Sequence, residues 1–193
     1  MVCKKIDISP SFIAFLCAYY YFDPMETFVP FLLSVALHEL GHLTALALCR
    51  VKIHQIRLSA LGAQIVTPSV SHLQELFIAA SGPAVNLLLL IISVRKFPML
   101  ALINLCLLFY NLLPIYPLDG GRILRALLSL LLPYGAVHIL ESIIGAFCVT
   151  VLVCLCAYLT CVWRAGLWPI LLAAMLILRI AETILPENRK KRV

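Results

Sequence analysis

The chain has 193 residues, of which 63% are apolar and 12% charged, with a formal net charge of +6. A soluble domain carries about 45–50% apolar and about 25% charged residues, so these proportions exclude an ordinary soluble globule and indicate an integral membrane protein. The excess positive charge falls in loops and at the ends, where it sets orientation across a bilayer and does not mark a nucleic-acid partner.

Residues 1–9 are a polar lead with Lys4 and Lys5, followed by an apolar stretch from Pro10 to Phe22 that stops at Asp23-Pro24. No small-x-small cleavage pattern follows it, so it reads as a first span and not a signal peptide. Phe28 to Cys49 is the second span. Between Arg50 and Pro68, partial alternation through Val51, Ile53, Ile56, Leu58, Ala63, Ile65 and Val66, with a turn at Leu61-Gly62, predicts a small β-hairpin at the membrane surface. Leu73 to Val94 is a third span, interrupted by Ser81-Gly82-Pro83 and Asn86. Small residues there predict close packing against another helix.

Pro98 to about Tyr116 is a fourth span running into Asn111-Leu-Leu-Pro114-Ile-Tyr-Pro117-Leu-Asp119-Gly120-Gly121. Its prolines and glycines break any helix, so irregular backbone is expected around Asp119. A short apolar helix from Ile123 to Leu132 follows, then spans over Glu141–Trp163 and Leu167–Leu185, and a basic tail ending Arg189 to Arg192. The expectation is an all-α integral membrane protein of about six transmembrane helices with a small membrane-surface β-hairpin. It forms a single transmembrane domain over residues 1–193, with its core at about 28–121. The longest polar connection, Arg50 to His72, is too short for a separate folded module. With six spans, basic residues divide twelve to three in favour of the side holding both termini, which predicts cytoplasmic termini. The eight cysteines form no Cys-x-x-Cys pair and fall largely in apolar helices, so they read as small buried hydrophobes.

Chemistry enters with His38-Glu39-Leu40-Gly41-His42, the only charged or imidazole-bearing side chains between Phe28 and Cys49. Ionisable residues at membrane depth are costly and mark function. On a helix, positions four apart stack on one face, so both imidazoles can point at one metal ion while Glu39 reaches its water. His42 lies eight residues before the end of its span, about 12 Å deep at helical rise. A catalytic zinc takes three protein ligands and an open position. Among the remaining acidic and imidazole side chains, Asp119 is the one in a broken segment at matching depth. Asp7, Asp23, Glu26, Glu75, Glu141 and Glu182 lie on the wrong segment, near helix ends or beside a basic partner, and His54, His72 and His138 read as interfacial histidines. The competing readings are a pair of buried histidines bonded to neighbouring helices, a metal transporter, and a silent membrane scaffold. Transport needs a chain of polar sites, and the other spans hold only Asn86 and Asn104.

Together, His38-Glu39-x-x-His42, Ser81-Gly-Pro-Ala-Val-Asn86 and Asn111-x-x-Pro114-x-x-Pro117-Leu-Asp119-Gly-Gly resemble the three-motif signature of the site-2 protease family of intramembrane zinc metalloproteases, over about residues 10–185. Within it, the short loops and the Leu-Leu-Pro-x-x-Pro-Leu-Asp-Gly-Gly motif resemble the sporulation branch. The resemblance implies zinc on His38, His42 and Asp119, Glu39 as general base, and Asn111 near the substrate or capping the broken helix. It also implies cleavage of a membrane-associated protein, in this branch an inactive pro-sigma factor, with inhibitory membrane proteins as partners. The expected place is a bacterial cell membrane or the membrane around a forespore. Neither the nucleotide-binding CBS domain usual in that branch nor a PDZ-like insertion is expected. An extended peptide can add to the edge of the 51–68 hairpin, which would expose its amides for attack.

Overall fold

The computed structural model describes residues 6–23, 26–59, 62–162, 170 and 173–181. The chain forms two compact units that divide between Leu113 and Pro114.

In the first unit, Pro10 takes the first helical position of α1 (Pro10–Tyr21), where its missing N–H costs nothing, and the Ser9 hydroxyl accepts from Ser11 N. α2 (Phe28–Leu48) has no cap from its own Thr27 side chain. Asp23 substitutes: its carboxylate accepts from Phe28 N at 2.6 Å and from the Thr27 hydroxyl at 2.8 Å. Two strands follow, β2 (Gln55–Ser59) and β3 (Gly62–Val66), antiparallel with Ile56 opposite Ile65. The turn uses Gly62 at φ 114, which suits a residue without a side chain. The predicted hairpin is therefore present, shorter than 51–68. It also has a third member within the polar lead of residues 1–9, since β1 (Ile6–Ile8) pairs parallel with β2, Ile6 beside Ile56.

Ser71 and Gln74 form a capping box that starts α3 (His72–Ser93), and α4 (Pro98–Asn111) returns after a short turn. Ala45, Leu46, Val51, Ile53 and Ile78 make a core that joins the end of α2 to the sheet and α3. Where α2 crosses α3 the backbones nearly touch. A Cβ at Gly41 would stand 2.9 Å from the Ser81 carbonyl oxygen and 2.9 Å from Val85 Cγ2. This is the close approach the small residues foretell.

The second unit holds α5 (Asp119–Leu131) and α6 (Tyr134–Cys161), divided by Pro133. α5 starts at Asp119, four residues ahead of the expected helix, and α6 starts seven residues ahead of the expected fifth span. Residues 173–181 are helical, and the ends of the span expected over 167–185 lie outside the described residues.

Among the described residues, three helices are long and apolar enough to cross a bilayer, α2, α3 and α6, with 21, 22 and 28 residues. A crossing takes about 20 residues. The chain is thus a mostly helical integral membrane protein with a small three-stranded sheet. α1 and α4 are apolar but have only 12 and 14 residues, and the Pro114 segment follows the end of α4.

Candidate metal centre

His38 and His42 lie one turn apart on the face that α2 turns to α3. Both are buried, 6% and 5% exposed. Their Nε2 atoms stand 3.1 Å apart, with the rings edge to face at 83°. Two nitrogens on a tetrahedral zinc, each at about 2.0–2.1 Å, are separated by about 3.3 Å. The pair therefore fits joint chelation of one ion.

The outer nitrogen of His42 decides which way its ring presents. Nδ1 is 2.8 Å from the Ile78 carbonyl oxygen. A carbonyl only accepts, so Nδ1 carries the proton and Nε2 offers its lone pair. Such outer bonds fix the tautomer and aim of a ligating ring. The Ser81 hydroxyl donates to the same carbonyl at 2.7 Å, within α3, and its oxygen stands 3.4 Å from His42 Nδ1.

Gly82 makes the space. A Cβ there would collide with His42 Nε2 and stand 2.7 Å from Cε1 of both rings. Any side chain must push the histidines apart or drive α3 from α2. Gly82→Ala is expected to lower zinc affinity about 10–100-fold, the range for changes just outside a ligand shell. Titration against a competing chelator measures this, and an unchanged affinity would mean that the rings yield without losing their aim. Glu39, next to His38, is half-buried.

In the second unit, Asp119 opens α5 and is 7% exposed. The first turn of a helix favours a carboxylate through its outward N–H groups and dipole. Arg122 Nη1 lies 3.4 Å from Asp119 Oδ1. The segment before Asp119 folds flat on this turn: Leu118 N donates to Ile115 O at 2.8 Å, and Ile115 and Leu118 are buried. Gly121 permits it, because a Cβ there would strike Tyr116 N and stand 2.5 Å from Ile115 C. Asn111, the last residue of α4 in the first unit, is half-buried, and His54, His72 and His138 are exposed.

Glu141 differs from its reading as a helix-end residue. Because α6 begins at Tyr134, Glu141 sits two turns inside it, buried, and Arg125 Nε donates to both its oxygens at 3.1 and 2.9 Å. The Arg125 guanidinium also lies over the Tyr116 ring, 4.0 Å from its centre. Burial works against the Arg125 charge, but the bond to Glu141 and its negative charge outweigh it and raise the pKa. Arg125 thereby ties α6 to the segment leading into Asp119. Arg125→Ala is expected to destabilise the protein by about 1–3 kcal/mol, since a buried carboxylate loses its donor. Adding Glu141→Leu should return much of that loss in detergent melting curves; no recovery would place the cost elsewhere. Sequence alone offered no signal for the Arg125–Glu141 pairing, whose members are 16 residues apart on two helices.

Comparison with known proteins agrees with this chemistry. The model of peptidase family M50 matches residues 93–153, the stretch that holds Asn111 and Asp119. A zinc metalloprotease of Methanocaldococcus jannaschii is 39% identical over 115 residues, 53% of this chain and 34% of that protein. Stage IV sporulation protein FB of Bacillus subtilis is 28% identical over 181 residues, 86% of this chain and 60% of that protein. The chain thus spans about a third of one relative and 60% of the other. Among solved structures, the site-2 protease of Methanocaldococcus jannaschii superposes with a TM-score of 0.66 at 28% identity, covering 94% of this chain and 92% of that one. Residues 93–153 thus match peptidase family M50, and the chain is similar in sequence to zinc metalloproteases and in fold to a site-2 protease.

Proposed function

We propose that the chain is an intramembrane zinc endopeptidase in which His38, His42 and Asp119 hold one Zn2+ and Glu39 is the general base. The observation that carries this is the facing pair of buried Nε2 atoms, 3.1 Å apart, with His42 fixed by Ile78. A catalytic zinc takes three protein ligands, and the histidines are two. Asp119 is the third by its chemistry: a buried carboxylate at the end of a segment broken by Pro114 and Pro117. When bound, zinc polarises the scissile carbonyl and acidifies a water. The Glu39 carboxylate takes the proton from the attacking water and passes it to the leaving amine nitrogen. Asn111 faces the substrate near the reacting carbonyl. On this reading the two compact units serve one transmembrane protease domain of six spans with both termini cytoplasmic.

The substrate is a membrane-associated protein. The sporulation relative supports a pro-sigma factor, with inhibitory membrane proteins as further partners, in a bacterial cell membrane or one around a forespore. Co-expression with a membrane-bound pro-sigma factor tests this by a size shift; a zinc-loaded protein that leaves it intact would rule that substrate out.

A helical substrate hides its amides and must be extended before attack. β3 lies at one edge of the sheet, where strand addition can hold an extended peptide. Ile65→Pro is expected to slow cleavage severalfold by removing an N–H and bending the edge. Cleavage at the original rate would count against the strand as a docking site.

A further inference from the structure

The ladder that carries the histidines continues one rung further. Positions 34, 38 and 42 of α2, and 78, 82 and 86 of α3, recur every four residues and line one face of each helix. His42 meets Ile78 at 2.8 Å. His38 meets Gly82, whose Cβ position is 2.7 Å from the ring. The helices run in opposite directions, so the next rung pairs Ser34 with Asn86. Asn104 of α4 reaches the same rung, since its Nδ2 donates to Ser34 Oγ at 2.9 Å.

All three side chains are fully buried, at 0% exposure. Ser34 Oγ donates to Pro30 O at 2.7 Å, and Asn104 Nδ2 spends its second proton on Leu100 O at 2.8 Å. The Asn104 amide orientation is therefore fixed, and its Oδ1 is left as a buried acceptor. That Oδ1, and both Oδ1 and Nδ2 of Asn86, have no hydrogen-bond partner among the described residues. Buried polar atoms are nearly always paired, and within a spanning segment bulk solvent cannot pair them. The rung holds no formal charge, so a cation there would lie buried and uncompensated. Water meets the need, because it donates to the two Oδ1 atoms and accepts from Nδ2.

We infer that Ser34, Asn86 and Asn104 form an internal water site between α2, α3 and α4, one helical turn, about 6 Å, from His38. The site fixes α3 and α4 to the turn of α2 preceding the histidines. It stands independently of the ligand role of Asp119.

A structure of the full chain in detergent or nanodiscs, at a resolution that shows ordered water, tests it. The expected density lies within hydrogen-bond reach of Asn104 Oδ1 and the Asn86 amide, and is absent in Asn86→Leu. A direct Asn86–Asn104 amide bond with no density between them, or an empty gap, would overturn the inference. Melting curves give a second readout. Asn86→Leu and Asn104→Leu each lower the melting temperature, and the double variant melts no lower than the worse single one, because either change already removes the shared water. Fully additive losses would contradict a shared ligand. If a variant fails to fold, the unsubstituted map decides.

Discussion

Glu39→Gln should leave zinc in place while cleavage falls by about 10²–10⁴-fold, the usual contribution of a positioned general base. Glutamine matches glutamate in shape, so the half-buried position next to His38 keeps its packing. What changes is one capacity, since a carboxylate takes a proton and an amide does not. The imidazole pair is left with the Ile78 bond that aims it. Metal content and cleavage are read on one preparation. Loss of both together would mean that Glu39 supports the metal site, and retention of both would place the base on another residue.

The parts of the site that follow from local geometry were legible in the chain. His38 and His42 stack because helical residues four apart always do, and the apolar run around them announces a buried helix. The irregular backbone before Asp119 was likewise written in Pro114 and Pro117, whereas Gly120 and Gly121, expected to break the helix as well, lie inside the first turn of α5. Contacts that depend on how two helices are set against each other were not. Gly82 reads as a small residue suited to close packing, yet only the register of α3 against α2 shows that it receives both imidazole rings. Glu141 looked peripheral because the start of α6 was placed too late, and its partner Arg125 is 16 residues away. β1 escaped because three residues give almost no periodic signal, and their partners around Ile56 lie about fifty residues on in the chain.

Removal of Asp119, the proposed third ligand, should have the larger effect on the metal itself. Two imidazoles a turn apart can bind zinc, but a catalytic site draws its affinity from three protein ligands. Changes one shell out already cost about 10–100-fold in affinity, so Asp119→Ala should lose at least that much. Asp119 sits at a helix start with Arg122 beside it, and alanine is tolerated in that first turn, so the fold should persist. The deciding measurement is zinc bound per chain, determined on purified protein and on Asp119→Ala through a chelator series. About one zinc is expected in the unsubstituted chain, with clear loss in the variant at chelator levels the former withstands. A full, equally tight zinc in Asp119→Ala would contradict the ligand role of Asp119.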